Sequence, residues 1–249
     1  MYFYLVTISY SGSDFQGWAK QPNEFTAQGY IEKALKKIFC FPIKILASSR
    51  TDKGVSAREQ NFILKLTFFL TKKKLLSVLK KNLLPLVLTK RIKKVDNNFH
   101  PLRNIVSKEY RYFIGTGKIN VWKSKIQWEY NKPLETRKLN NILKIFQGKH
   151  DFFNYCFCRK KNQSKTNTIK QINFIKTWKK KDLVVIKFVA QGFLRYQIRA
   201  IIGETINCYE EKQTIDNLKK KLIDTNSFKN KYKKIAPASG LFLWKTEYS

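Results

Sequence analysis

A short polar loop, Ser49-Arg50-Thr51-Asp52-Lys53-Gly54, joins two predicted strands. Apolar residues recur at every second position on both sides of it, at 43–47 and at 62–66, which is the period of a strand. Gly54 can take a positive φ, and the short side chain of Asp52 can stand clear of the backbone in such a turn. Asp-Lys-Gly alone is an ordinary surface turn. Arg50 makes it a candidate for chemistry, because a guanidinium can hold a phosphate bidentately or insert beside a base.

The segments around this loop predict the order β-α-β-β-α-β for the N-terminal part of the chain. Aromatic and β-branched residues over Tyr2 to Tyr10 favour a strand that ends in turn residues. Thr26 can cap a helix whose apolar residues recur at helical spacing. After the two strands that flank the loop, Lys72 to Asn82 predict a basic helix and Leu86 to Val95 a strand.

From Val106 onward the sequence predicts a second set of elements in a similar order. They are a strand over Tyr110 to Ile114, a helix near Glu135 to Gln147, strands near Thr168 to Thr177 and Leu183 to Ala190, a helix near Leu194 to Tyr209 and a strand at Leu241 to Lys245. We therefore expect an α+β fold of two ferredoxin-like (RRM-like) halves, residues 1–104 and 105–249, joined in one antiparallel sheet. The helices would cover one face of that sheet and leave the other as an RNA-binding cleft.

The charge of the chain indicates a polyanionic partner. Fifty Lys and Arg against 17 Asp and Glu give a formal charge of +33, in clusters such as Arg159 to Lys161. A surface of this kind binds nucleic acid in a salt-dependent and largely sequence-independent way. Abundant Lys, Asn, Ile and Phe are also expected of an AT-rich genome, which accounts for part of the excess.

Several other classes of function lack their motifs. The four cysteines form no CxxC pair, and neither His100 nor His150 lies in a nucleophile or metal pattern, so we expect no metal site. Walker and dinucleotide-binding loops are absent, which excludes the kinase and dehydrogenase classes. The N-terminus has no basic leader, and no run approaches the ~18 apolar residues of a membrane helix. We expect a cytoplasmic protein that does not enter a membrane.

Two further segments carry residues that can act together with Asp52. Tyr110 and Tyr112 alternate on one face of a predicted strand, which suits either core packing or a stacking platform for an extruded base. Arg199 lies at the margin of an apolar helical stripe. An arginine in that position either reaches out to solvent or needs a partner, and a carboxylate such as Asp52 would supply one.

Five segments in this order resemble the tRNA pseudouridine synthase A family, over nearly the whole chain. They are Tyr10-Ser11-Gly12-Ser13-Asp14-Phe15-Gln16-Gly17-Trp18, Arg50-Thr51-Asp52-Lys53-Gly54-Val55, Lys108-Glu109-Tyr110-Arg111-Tyr112, Arg199-Ala200-Ile201-Ile202-Gly203 and Ala236-Pro237-Ala238-Ser239-Gly240-Leu241-Phe242-Leu243. Five ordered matches are far more specific than any single one of them.

This resemblance implies a role for each of five residues. Asp52 would be the catalytic aspartate, Tyr110 would stack on the target uracil, and Arg199 would pair with the aspartate and orient it. Arg50 would help to extrude the base, and Leu241 would wall the pocket. The resemblance also implies an isomerase that converts uridine to pseudouridine in the anticodon stem-loop of tRNA, at positions 38 to 40. Such an enzyme would be a homodimer with no metal or organic cofactor.

Two positions depart from the family's pattern. Ser49 stands where a glycine usually begins the loop, and Ser56 stands where a histidine usually follows the valine. Neither is the acid, so we expect altered RNA contacts and intact chemistry.

Two alternatives remain at this point. One is a non-catalytic RNA-binding protein of the same fold, which the charge and the ferredoxin-like halves favour. The other is a structural protein whose charge reflects only codon usage.

Overall fold

The protein is described by a computed structural model at residues 1–157, 167–224 and 234–249. Cys158 and the basic cluster Arg159 to Lys161 lie outside these residues. Ten strands and five α-helices within the described ranges confirm the predicted α+β class. None of the helices in these ranges is long and apolar enough to span a membrane.

The elements are numbered in chain order. They are β1 (Tyr2–Tyr10), α1 (Ala27–Phe39), β2 (Leu46–Ala47), β3 (Ser56–Leu66), α2 (Lys72–Leu83), β4 (Val87–Val95), β5 (Ile105–Gly115), β6 (Trp128–Glu129), α3 (Thr136–Leu143), β7 (Gly148–Asp151), β8 (Ile169–Lys180), β9 (Leu183–Ala190), α4 (Gln197–Tyr209), α5 (Ile215–Ile223) and β10 (Leu241–Tyr248). They form two compact units, one of Met1–Lys108 with Phe242–Ser249 and the other of Glu109–Leu241.

The first unit has the predicted order β-α-β-β-α-β. Its strand β1 lies between β3 and β4 and is antiparallel to both, so that Val6 faces Phe62 on one side and Ile92 on the other. Helix α1 begins where the sequence predicts, because the hydroxyl of Thr26 accepts a hydrogen bond from the amide of Gly29 at 3.3 Å. Helix α2 packs against β4, and α1 packs against α2.

The outer edge of β3 is shared by two strands. The two-residue strand β2 pairs with it antiparallel, with Ala47 opposite Phe62. Strand β10 pairs with its other end in parallel, with Phe242 opposite Ser56. The sequence analysis assigned the last strand to the C-terminal half, whereas this pairing makes residues 242–249 part of the first unit. Sequence periodicity predicts that a segment is a strand, but it does not predict which other strand it pairs with. The division into domains 1–104 and 105–249 stays a prediction.

The second unit contains strands β5, β9, β8 and β7 in that spatial order. Antiparallel pairing, as predicted, joins β8 to β9, with Thr177 opposite Ile186, and β7 to β8. Strand β6 is an exception to the antiparallel pairing, because its Trp128 pairs in parallel with Ile114 of β5. The sheet pairing is therefore mixed. Parallel neighbours need a long connection between them, and both β6 and β10 reach their partners after such a connection.

Helix α5 was not predicted from the sequence. The hydroxyl of Thr214 caps it by accepting a hydrogen bond from the amide of Asn217 at 3.2 Å. The helix packs over the turn at residues 153–155, where the hydroxyl of Tyr155 donates to the carbonyl of Leu218 at 2.9 Å. A capping threonine followed by Leu218 and Leu222, four residues apart, is the helix signal in this part of the sequence.

A buried ion pair joins α4 to α5. The Nζ atom of Lys221 lies 2.6 Å from the carboxylate of Glu204, and the two side chains are 5% and 0% exposed. The side-chain amide of Gln213 donates a second hydrogen bond to the same carboxylate at 2.8 Å. Burial of two charges is tolerated only with such close pairing and added hydrogen bonds.

Removal of one partner of this pair should be strongly destabilising. We expect Lys221→Ala to lower the free energy of unfolding by about 3–5 kcal/mol, because the carboxylate of Glu204 would stay buried without its cation. Lys219→Ala is the matched control on the same helix, since its pair with Asp216 is exposed at 3.4 Å and should contribute about 0–1 kcal/mol. Urea denaturation measures both variants, and equal losses would contradict the assignment.

Candidate active site

The loop that contains Asp52 lies between β2 and β3, as the sequence predicts. Its turn is closed by a hydrogen bond from the amide of Val55 to the carbonyl of Asp52 at 3.1 Å. Gly54 has a φ of 79°, which confirms the predicted left-handed conformation. Arg50 and Lys53 are exposed, while Asp52 is half-buried. The loop therefore presents two cations to solvent and keeps its carboxylate partly enclosed.

The start of the loop is fixed by side chains. The carbonyl of Ser48 accepts a hydrogen bond from Nζ of Lys108 at 2.7 Å, and the carbonyl of Ser49 accepts one from the side-chain amide of Gln60 at 2.7 Å. The hydroxyl of Ser48 donates to the Oε1 atom of the same glutamine at 3.0 Å. Gln60 is fully buried, so its position is set by core packing. These contacts hold the backbone just before Arg50.

The middle of the loop is fixed by the segment that follows β1. The carbonyl of Thr51 accepts a hydrogen bond from the amide of Trp18 at 3.1 Å, and its hydroxyl lies 2.8 Å from the hydroxyl of Tyr10. The amide of Gly12 donates to the hydroxyl of Ser56 at 2.9 Å. The sequence analysis used this segment only as part of a resemblance and assigned it no role. Its two glycines and its tryptophan were the available signal.

Gly12 approaches the loop more closely than any larger residue could. A Cβ atom built on it would lie 2.4 Å from the carbonyl carbon of Val55 and 2.5 Å from that of Gly54. Real Cβ atoms do not approach backbone carbon so closely, so a side chain would displace either the segment or the loop.

We expect Gly12→Ala to damage both stability and catalysis. The free energy of unfolding should fall by about 1–3 kcal/mol, as for other overpacked sites. The rate of any reaction that depends on Asp52 should fall on the order of 100-fold, since a shift of about 1 Å in a catalytic group has that effect. Ser13→Ala is the control, because the neighbouring Ser13 is exposed and bonds only within its own turn. A Gly12→Ala protein that matches this control in urea denaturation and single-turnover assays would refute the role.

Tyr110 and Tyr112 lie on β5, and both are buried. The ring of Tyr110 packs edge-on against Phe193, with centroids 5.3 Å apart, and 8% of the residue is exposed. Tyr112 is fully buried, and its hydroxyl donates to the carbonyl of Pro237 at 2.7 Å. Burial raises the pKa of Tyr112 well above its usual range, and the charge of Arg199 opposes that rise. Tyr112 is thus a core residue, while stacking by Tyr110 stays a prediction.

Arg199 lies in the first turn of α4 and is half-buried. Its Nε atom donates to the carbonyl of Ala236 at 2.9 Å, and its own carbonyl accepts from the amide of Ala236 at 3.0 Å. The guanidinium also lies over the ring of Tyr196, 5.3 Å from the centroid. The side chain is therefore held at its base within the second unit. Its predicted pairing with a carboxylate stays a prediction.

Leu241 opens β10 and is buried. It follows a short 3₁₀ turn, Ala238–Gly240, so the strand begins at this residue. The five predicted site residues fall in both units: Arg50 and Asp52 in the first, and Tyr110, Arg199 and Leu241 in the second. Their convergence on one uridine stays a prediction.

Comparison with known proteins identifies the family. The family model for tRNA pseudouridine synthases matches residues 142–249. The chain is 34% identical to tRNA pseudouridine synthase A of Mesoplasma florum over 98% of its own length and 97% of that protein. It is 36% identical to the proteins of the same name from Dictyoglomus thermophilum and Malacoplasma penetrans, over 98% of this chain and 98% and 99% of theirs.

The chain belongs to the tRNA pseudouridine synthase A family. It is thus a tRNA pseudouridine synthase, an isomerase, as the sequence analysis predicted. The two alternatives considered there, a non-catalytic RNA-binding protein and a structural protein, are not supported.

The two departures from the expected pattern, Ser49 and Ser56, lie inside the protein, and their effect on RNA contacts stays a prediction. Ser49 and Ser56 are both buried, at 4% and 1% exposure, which argues against direct contacts with RNA. Ser56 instead accepts the hydrogen bond from Gly12 that ties the N-terminal segment to the loop. The hydroxyl of Ser49 is buried and has no hydrogen-bond partner in the described part of the chain. A glycine at this position would leave no such unsatisfied group.

Proposed function

We propose that this synthase isomerises uridine in the anticodon stem-loop of tRNA, at positions 38 to 40, with Asp52 as its catalytic carboxylate and without a metal or cofactor. The observation that supports Asp52 is the loop itself, a half-buried carboxylate on a backbone held at Ser48, Ser49 and Thr51. A catalytic group must be held close to its productive geometry, and these hydrogen bonds hold the backbone on which Asp52 stands.

The reaction suits a single carboxylate. The bond from N1 to the ribose C1′ breaks, the base turns, and C5 forms a new bond to the same carbon. C5 then loses its proton and N1 gains one, so the product is an isomer of the substrate. No electrons are transferred to an outside acceptor. Asp52 can act as nucleophile or as base, and in both roles a carboxylate oxygen is the reacting atom.

The other site residues take the roles that their chemistry supports. A tyrosine ring can stack on an extruded base, which is the role we assign to Tyr110. We assign Arg199 the task of orienting the carboxylate, because a guanidinium has five donors in a planar fork that matches a carboxylate. Arg50 is exposed and cationic, which suits a contact with the RNA as the base is extruded. Leu241 would contribute an apolar wall. Because tRNA is the substrate, we place the enzyme in the cytoplasm.

Replacement of Asp52 tests this assignment. With tRNA that carries tritium at uracil C5, we expect Asp52→Asn to lower the rate of tritium release by at least about 10²- to 10⁴-fold, since loss of a catalytic acid or base has that effect. Asp96→Asn removes the same charge from an exposed position of the same unit and should release tritium like the unaltered protein. Equal release by Asp52→Asn and the unaltered protein would refute the catalytic role. Unimpaired tRNA binding without any release by the unaltered protein would favour a binding function instead.

The same assay locates the target. Transcripts in which uridines 38 to 40 are replaced by cytidine should release no tritium, whereas substitutions elsewhere should leave release unchanged. Release that persists from the substituted transcripts would place the target outside the anticodon stem-loop.

We also propose that the enzyme is a homodimer, with an exposed apolar loop at its interface. Ile119, Val121, Trp122 and Ile126 are all exposed, and Trp122 is 81% exposed. The loop is ordered, because the side chain of Asn120 accepts hydrogen bonds from the amides of Trp122 and Lys123 at 3.0 and 3.2 Å. A concentration of exposed apolar side chains on an ordered loop is typical of a protein interface.

Substitution in this loop should separate the subunits. We expect Trp122→Glu to shift the protein from dimer to monomer in sedimentation velocity experiments, because tryptophan is a frequent anchor of interfaces. Ile223→Glu is the control, since Ile223 is 83% exposed in the same unit but outside the loop. Added salt should strengthen an apolar contact whose rim is rich in lysine, and it would weaken a contact with RNA. A dimer that survives Trp122→Glu would place the interface elsewhere.

A further inference from the structure

Lys108 is a half-buried lysine that makes one hydrogen bond at the start of the Asp52 loop. Its Nζ atom donates to the carbonyl of Ser48 at 2.7 Å. Among the described residues, no carboxylate lies within 4 Å of this ammonium, unlike that of the buried Lys221. Burial lowers the pKa of Lys108 from its usual value to about 8, and no neighbouring charge contributes to that shift. The ammonium is therefore still the main form at neutral pH.

A partly desolvated ammonium without a nearby carboxylate costs stability, so its presence at this position calls for an explanation. Burial of a cation without a compensating carboxylate reduces stability, and an apolar side chain of similar length would pack without that loss. What only a cationic donor adds is a charge-assisted hydrogen bond to a backbone carbonyl, which is stronger than a neutral one. The interaction that Lys108 adds is thus its hydrogen bond to the carbonyl of Ser48.

Ser48 is the first residue after β2 and directly precedes the Asp52 loop. Its amide donates to the carbonyl of Asn61 at 2.9 Å, its hydroxyl to Gln60 at 3.0 Å, and its carbonyl accepts from Lys108. The amide bond holds the peptide before Ser48, and the bond from Lys108 holds the peptide after it, from which the chain continues toward Asp52. Without the bond from Lys108, that carbonyl could rotate and carry the loop with it.

We propose that Lys108 is a positioning residue for the isomerisation: by holding the Ser48 carbonyl, it sets the place of the Asp52 carboxylate. This inference rests on the proposed catalytic role of Asp52. It predicts an effect of Lys108 on the chemical step that is separate from tRNA binding, even though Lys108 is a cation in an enzyme that binds a polyanion.

The test compares four variants with C5-tritiated tRNA under single-turnover conditions at saturating enzyme, with tRNA affinity measured by filter binding. Lys108→Met should lower the rate of tritium release on the order of 10- to 100-fold, because the carboxylate is displaced. Its Kd for tRNA should change by less than about threefold, as expected when a single phosphate contact or none is lost. Lys108→Arg, which keeps a cationic donor, should recover most of the lost rate.

Lys90→Met is the matched control. Lys90 also donates to a backbone carbonyl of β3, that of Arg58 at 3.4 Å, but outside the Asp52 loop. It should leave the rate of tritium release unchanged. All rates are compared at a temperature at which circular dichroism shows each variant folded, and Lys108→Gln replaces the methionine variant if that one does not fold.

Asp52→Asn is the fourth variant, and it separates the two claims. If it remains active, the catalytic role of Asp52 is wrong. If it is inactive while Lys108→Met keeps the rate of the unaltered enzyme, only the positioning role is wrong. That role is also wrong if Lys108→Met weakens tRNA binding with no loss of rate, or if Lys90→Met and Lys108→Met lose rate equally.

Discussion

A carboxylate on a loop can direct a reaction only if the backbone beneath it is fixed, and the strand that leads into this loop is too short to fix it. Strand β2 has two residues, and its pairing with β3 ends at Ala47. The following carbonyls would otherwise depend on water. Here a lysine, a glutamine and a backbone amide bind them instead, at Ser48, Ser49 and Thr51. Each of these donors comes from a different part of the first unit, so the loop depends on the folding of that unit as a whole.

This dependence explains the sequence between β1 and α1. The segment contains turn residues and aromatic residues together, and periodicity alone predicts only that it is a loop. In the structure its residues bind the Asp52 loop through Tyr10, Gly12 and Trp18. Within the segment, the aromatic rings of Phe15 and Phe25 stack on each other, with centroids 5.4 Å apart. A segment without regular secondary structure can thus be as constrained as a strand, because its function is to support another loop.

Local features could be predicted from the sequence, and long-range partners could not. Alternation and capping predicted β1, β3 and α1, and Gly54 predicted the turn, because each depends on residues close in the chain. The position of β10 beside β3 and the bond from Lys108 to Ser48 depend on residues far apart in the chain. Lys108 also looked like one of many surface lysines, since the chain has 50 Lys and Arg. Its hydrogen bond to Ser48 distinguishes it, and that bond is visible only in the fold. Family resemblance implied roles for Asp52, Tyr110 and Arg199, but it gives no distances.

The charge of the protein and the burial of Lys108 illustrate two uses of the same residue type. Most lysines contribute to the formal net charge of +33, because the chain has too few acidic residues to neutralise them. The resulting positive potential attracts tRNA from a distance and weakens as salt is added. Lys108 acts over 2.7 Å on a neutral carbonyl, and because it is half-buried salt screens it less than an exposed lysine. Burial of the ammonium reduces stability, whereas its hydrogen bond orders the loop. Conflicts between local stability and local order of this kind are expected at functional sites, because a sequence selected for stability alone would remove them.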